Sequence, residues 1–290
     1  MLPGDITQYD YFEAFNRNLG FLSLEEQTKL KNARVAIAGL GGTGGAQVHV
    51  LSRMGMTKFH LADPDTFELA NFNRQIGATV PNLDRLKTEV AKEMVLAINP
   101  AAEVTVFEQG ITVENIDTFL QDVDVVVDSL DFYCFSERFR LDDKAREKGL
   151  WVLTAPPLGF GFTLLMFDPK GMSFMDYFGF HPAMTERDRV VALVAGIAPK
   201  PFMLQYLDRK HPDMAGRRLP SVGAAPFMIA GVIATEVIRL LTGKGQPMAA
   251  PTIYQFDALL RRFRRRTYFW GMRGPLQRAK RFILNRMLPK

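Results

Sequence analysis

The first residues that suggest chemistry are Gly39-Leu-Gly41-Gly42-Thr-Gly44, a G-x-G-x-x-G run placed after one apolar stretch and at the start of a helical pattern. Glycines at this spacing let the backbone approach a phosphate, and the following helix N-terminus supplies amide donors. The plain alternative is a tight strand–helix turn that binds nothing. Asp63 ends the next apolar run, where a carboxylate can accept from ribose hydroxyls. The stretch Asp63-Pro-Asp65 to Asn71-Phe-Asn73-Arg74-Gln75 is dense in polar groups, and Lys87 follows. A nicotinamide cofactor needs a ribose acceptor and a flat apolar slot. A triphosphate needs cations around its outer phosphates and a carboxylate for a metal; Arg74 and Lys87 supply the cations and Asp131 the carboxylate. ATP with Mg²⁺ is therefore the expected ligand, and an NAD(P)-binding oxidoreductase is the alternative.

Each of these residues has a structural alternative. Arg74 can be a salt-bridge partner and Lys87 part of a solvated helix face, while Asp65, between Pro64 and Thr66, can simply shape a turn. Cys134, the only cysteine, either captures an adenylate or serves as a small apolar residue; a nearby carboxylate would raise its pKa and disfavour the thiolate.

The hydrophobic pattern supplies the elements that must hold these residues. Strands are expected at 35–38, 58–62, 103–107, within 122–128, and at 151–154, 162–167 and 252–256. Helices are expected over 11–32, 46–54, 86–98, 113–120 (started by a Thr112 or Asn115 cap), 136–148 and 224–241. The alternating order implies an α/β fold: a doubly wound, mostly parallel, Rossmann-like sheet with antiparallel strands added in the second half. Asp131 then stands at the carboxyl end of a parallel strand, where open α/β sheets bind ligands. Residues 1–260 read as one domain, with a nucleotide-binding half over about 30–150 and a substrate-binding half over about 151–260. Residues 181–220, rich in proline and charge, read as a long functional loop.

Composition narrows the class. At 47% hydrophobic with 23 Phe, the chain can bury a sizeable core. One cysteine excludes a disulfide framework and fits a reducing, cytoplasmic setting. The start lacks a secretory pattern, and the apolar run 222–235, interrupted by Pro226, reads as a buried helix. The net charge of +5 hides an asymmetry: residues 261–290 hold eleven basic residues and no acidic one, leaving a net of −6 on residues 1–260. That basic tail interleaves arginines with aromatics and then reads as a helix from Pro275. Leu276, Ala279, Ile283 and Met287 share one face, with Arg278 and Arg281 opposite. It is suited to docking on a partner or second subunit, to an anionic membrane surface, or to RNA stacked on Tyr268, Phe269 and Trp270.

Taken together, the motifs resemble the ThiF/MoeB/HesA-type adenylating enzymes, relatives of the ubiquitin-activating enzymes, over about residues 14–245. The matching residues are Phe15-Asn-Arg17-Asn18, the glycine loop, Asp63-x-Asp65, Asn71-x-Asn-Arg74-Gln75, Lys87, and Asp128-x-x-Asp131 with Arg138 seven later. Asn73-Arg74-Gln75 and Ile98-Asn-Pro100 look most like the threonylcarbamoyl-adenosine tRNA dehydratases within that group. The resemblance implies that Asp63 binds ribose, that Asn71, Arg74 and Lys87 contact phosphates, and that Asp131 holds Mg²⁺. It also implies that Arg17 reaches the γ-phosphate in the partner subunit of a homodimer. The implied reaction is adenylation of a carboxylate, at the C-terminus of a ubiquitin-like or sulfur-carrier protein or of a peptide, with release of pyrophosphate. A tRNA-modifying dehydratase and a nucleotide-binding scaffold without activity are the alternatives. Three departures stand out: Phe132 replaces the Asn common after the metal aspartate, the chain has no C-x-x-C pairs and so no zinc is expected, and 181–220 contains no cysteine for thioester transfer.

Overall fold

The computed structural model describes residues 9–208 and 219–287. Its centre is set by β-branched runs buried on both faces. In β1 (Arg34–Ala38), Val35 and Ile37 face one side of the sheet and Ala36 and Ala38 the other. In β4 (Val125–Asp128), Val125 and Val127 divide from Val126 in the same way. This two-faced burial is what a parallel sheet covered by helices demands. The parallel part runs β3-β2-β1-β4-β5, with β2 at Lys58–Ala62, β3 at Glu103–Phe107 and β5 at Trp151–Thr154. Antiparallel β7 (Gly161–Phe167), β8 (Thr252–Asp257) and β9 (Arg262–Thr267) extend it, and the short β6 (Pro157–Leu158) pairs with β7. The strand order turns back between β1 and β4, where Ala38 pairs with Asp128. The expected doubly wound sheet with later antiparallel strands is what the chain forms.

Two apolar layers cover the sheet. On one side lie α2 (Leu24–Asn32), α3 (Gly42–Arg53), α4 (Lys87–Ile98) and α9 (Ala224–Thr242). On the other lie α5 (Ile116–Phe119), α6 (Phe135–Glu147), α7 (Phe174–Phe178) and α8 (Glu186–Ile197), around an aromatic cluster of Phe167, Phe174, Tyr177, Phe178 and Phe180. At 19 residues, α9 is long and apolar enough to cross a membrane by length and composition. Its Ile229, Ile233 and Val237 are wholly buried in the layer it shares with α3, so it serves the core.

Several boundaries differ from the sequence expectation, each for a local reason. The helix expected over 11–32 is broken into α1 (Tyr11–Ala14), a 3₁₀ turn at Asn16–Asn18, and α2. Gly20 has φ of 104°, and Ser23 starts α2 afresh: its Oγ accepts from Glu26 N and its N–H donates to Glu26. The helix expected over 113–120 shrinks to α5, because Thr112 and Asn115 bond each other's backbone N–H and close a turn. The long loop expected over 181–220 contains α8, opened by a Thr185–Asp188 capping box, and a 3₁₀ turn at Phe202–Gln205; residues 209–218 lie outside the described residues.

The basic stretch from 261 is built into the fold. Arg262–Thr267 is the edge strand β9, in register with all six residues of β8. Tyr268 and Met272 are buried, and α10 (Pro275–Met287) packs along α8. The boundary expected at 260 therefore falls inside a hairpin.

Candidate active site

The strand reversal between β1 and β4 leaves a crevice at their carboxyl ends, and the glycine loop enters it directly from β1. Gly39 adopts φ of 87°, and a Cβ there would strike the Ser129 carbonyl of the neighbouring loop. A Cβ on Gly44 would strike the Gly39 carbonyl, so two of the glycines are required by the fold itself. Gly41 differs: its nearest neighbour in that direction is Gln75 Nε2 at 3.8 Å, which leaves open space beside the N-terminus of α3. A glycine with that space beside a helix N-terminus lets a ligand approach the backbone. Gly42 packs against Arg74 and Pro226, closing the back of the loop.

Asp63 ties this loop to β2. Its Oδ2 accepts from Leu40 N at 2.6 Å and its Oδ1 from Asp65 N at 2.9 Å. Burial raises its pKa, and Lys87 acts against that shift. Each Asp63 oxygen still has a lone pair for a ribose hydroxyl. Lys87, the first residue of α4, is only 5% exposed, so the solvated-face alternative fails. Its Nζ lies 2.7 Å from Asp65 and 3.8 Å from Asp63. Asp65 is thus the counter-ion of a buried lysine as well as a turn residue.

The N-x-N-R-Q segment lies across the loop's mouth. Asn71 ends a 3₁₀ turn (Leu69–Asn71) and its Oδ1 accepts from Glu68 N. Arg74 is half-buried, donating to the Ala70 carbonyl and to Asn73. It makes no ion pair among the described residues, so the salt-bridge alternative does not account for it. Gln75 is buried, and its Oε1 has no partner.

Across the crevice, β4 ends at Asp128 and the chain turns through Ser129 to Asp131. Arg138 on α6 holds this turn. Its Nε donates to Asp128 at 2.7 Å, and its Nη2 donates to the carbonyls of Leu130 (2.6 Å) and Asp131 (3.1 Å). Asp131 is exposed and accepts from Phe132 N. Ser129 donates to Gln47 Oε1, which leaves Gln47 Nε2 buried without a partner; Arg138 Nη1 is in the same condition. Gln47 Nε2, Gln75 Oε1 and Arg138 Nη1 are thus three buried polar atoms near the crevice that lack a protein partner among the described residues. The roles of Gln47, Asp128 and Arg138 escaped the sequence reading. Arg138 stood in the motif without a function, and only its contacts show that it shapes the Asp131 turn.

Cys134 is the N-cap of α6, one turn from Asp131, and is unpaired. Burial raises its pKa and Asp131 adds to the shift, so the thiol is poorly suited to act as a nucleophile. Arg17 lies elsewhere. It is exposed in the 3₁₀ turn whose Asn18 donates to the Met54 carbonyl, at the far end of α3 from the glycines. Twelve residues of α3, about 18 Å at ~1.5 Å per residue, separate the two ends. Arg17 does not reach the glycine loop of its own chain.

A Rossmann-type sheet whose glycine loop opens a helix at the switch point, facing a carboxylate turn, is an α/β fold of the kind that binds nucleotides. Residues 15–269 match the ThiF family, and the chain belongs to that family. It is 28% identical over 252 residues to a sulfur carrier protein adenylyltransferase of Thermus thermophilus, covering 87% of this chain and 84% of that protein. It is 32% identical over 148 residues to the sulfur carrier protein ThiS adenylyltransferase of Escherichia coli, covering 51% of this chain and 58% of that one. A tRNA threonylcarbamoyladenosine dehydratase of Bacillus subtilis is 32% identical over 122 residues, 42% of this chain and 48% of that protein. In fold, the chain is like E. coli MccB solved with ATP, at a TM-score of 0.67 and 18% identity, covering 93% of this chain and 74% of that one.

Proposed function

We propose that this chain is an ATP-dependent adenylyltransferase that activates a carboxylate as an acyl-adenylate and releases pyrophosphate. The observation that carries this is the glycine loop with open space at Gly41, flanked by Arg74, which makes no ion pair among the described residues, and by the buried Lys87. A triphosphate makes fuller use of these cations than a nicotinamide dinucleotide does, and the adenylyltransferase relatives support the same choice.

The residues divide the work. Gly41 and the first amides of α3 receive phosphate oxygens, and Asp63 accepts from ribose. Arg74 reaches the phosphates from the loop's mouth, with Asn71 beside it. Lys87 is held by Asp65 until a phosphate oxygen competes for its ammonium. Asp131 is the carboxylate for Mg²⁺, which is usually held by one or two carboxylates together with substrate phosphates and water. Bound there, Mg²⁺ would neutralise charge on the departing pyrophosphate. No protein nucleophile is needed for this step, consistent with the raised pKa of Cys134.

The acceptor proposed is the C-terminus of a small ubiquitin-like or sulfur-carrier protein, or a peptide, in a reducing cytoplasmic setting. The Thermus relative, matched along most of both chains, favours the carrier protein. Arg17 is assigned to the active site of a second subunit in a homodimer. Its position at the far end of α3 excludes the site of its own chain, and Phe21 and Leu24 beside it are 87% and 58% exposed, a surface suited to a partner copy. Asp131→Ala tests the assignment. ATP–pyrophosphate exchange, screened with candidate carrier proteins, is expected to fall below detection while the urea midpoint stays unchanged, because Asp131 is exposed. Normal exchange in this variant rules out the metal role.

A further inference from the structure

Helix α10 is mounted with its apolar side outward, the reverse of a core helix. Its half-buried residues, Gln277, Arg281, Leu284 and Asn285, form the side towards the protein. Asn285 accepts from Arg187 of α8, and Lys280 donates to the Pro199 carbonyl. On the other side Leu276, Phe282 and Ile283 are 63%, 58% and 56% exposed. In the turn before the helix, Phe269 and Trp270 are 77% and 71% exposed although buried Tyr268 and Met272 bracket them. These five apolar side chains are presented by anchored backbone.

The surroundings are cationic. Residues 261–290 contain no carboxylate. Lys280 lies near Arg264 and Lys200; burial lowers its pKa, and those two cations lower it further. Arg262 stands over the Phe202 ring, 5.9 Å from its centroid. Among the described residues, Lys200, Arg262, Arg264, Arg265 and Lys280 form no ion pair.

We propose that α10 and the Phe269-Trp270 turn dock this chain on an anionic lipid surface. Leu276, Phe282 and Ile283 enter the acyl boundary, Trp270 sits at headgroup level, and the exposed Arg278 and Arg286 of the same helix meet lipid phosphates. A basic helix without acidic residues, apolar on one face, is the form that lies in a membrane interface, and aromatic side chains favour that depth. Anionic lipid matches the apolar and cationic parts together. RNA would leave the aliphatic Leu276 and Ile283 without a counterpart, and a second protein copy is separated from lipid by the dimer arm of the test below.

The test is flotation of the full chain with phosphatidylcholine vesicles, with and without about 30 mol% phosphatidylserine, at about 0.05 and 0.5 M salt. Flotation is expected with the anionic vesicles only, strongest at low salt. Leu276→Glu/Ile283→Glu is expected to lower the partition coefficient by about tenfold or more, with pyrophosphate exchange and the urea midpoint unchanged. Independently of that variant, anionic vesicles should shift the emission of the unaltered chain to the blue, and Trp270→Phe should abolish the shift. Failure to float on anionic vesicles at low salt overturns the proposal. So does flotation that the double substitution leaves undiminished. Dissociation of a lipid-free dimer, or loss of polyuridine binding, caused by the double substitution would overturn it in favour of a second copy or RNA.

Discussion

Arg138→Met makes the most demanding test of the site's architecture. In the folded chain Asp128 and Arg138 are 2% and 8% exposed at their side chains and 2.7 Å apart. Removing the guanidinium leaves a buried carboxylate whose remaining side-chain contact is the Leu130 N–H at 3.0 Å. Breaking one member of a buried pair typically costs about 3–5 kcal/mol, because the other charge stays desolvated. Replacing both, as in Asp128→Asn/Arg138→Met, removes the orphaned charge and should recover most of that loss. Exchange should behave differently from stability. Arg138 also holds the carbonyls of Leu130 and Asp131, so both variants free the turn that aims Asp131. A displacement of ~1 Å at a reacting centre costs about 100-fold in rate. Urea unfolding and ATP–pyrophosphate exchange on the two variants and the parent give the answer. The reasoning is refuted if the single variant loses less than about 1 kcal/mol, or if the double variant exchanges at the parent rate.

Two further outcomes follow from titratable groups. Asp142 on α6 is 4% exposed and accepts from Phe174 N; burial pushes its pKa up to about 7. Between about pH 4 and 7 the folded chain keeps this proton while the unfolded chain loses it, so its contribution to stability is full below pH 4 and is lost as pH rises through 7. Asp142→Asn should flatten that slope by up to a few kcal/mol, as read by urea midpoints across the range; an unchanged slope refutes the assignment. Cys134→Ala should keep pyrophosphate exchange within about twofold of the parent at neutral pH, since the raised thiol pKa leaves little thiolate; loss of exchange would show that the thiol takes part.

Much of this was legible in the sequence because two kinds of signal agreed. The period-two apolar runs gave β2, β3 and β5 their observed bounds, and the glycine loop fell between β1 and α3 as a phosphate site requires. What stayed hidden depended on three-dimensional neighbours. The Lys87–Asp65 pair spans 22 residues, and the Ser129–Gln47 bond spans 82. Periodicity has no register for such distances. Local competition misled elsewhere: Thr112 and Asn115 looked like alternative caps for one helix and instead satisfy each other. The arginine-rich run after 260 read as a tail because arginine is not a strand former by composition. Its pairing with β8 overrides that preference, as cross-strand context commonly does.

The placement of those arginines bears on how molecules of this protein meet in solution. β9 ends the pleated sheet, and an outermost strand offers a row of free backbone donors and acceptors to any similar strand. Arg265 and Arg266 on that strand are exposed, so two such rims repel before their backbones can join. The same rim stripped of its charge would be free to extend the sheet from molecule to molecule. In this sense the arginines keep the last strand last, whatever else their charge attracts.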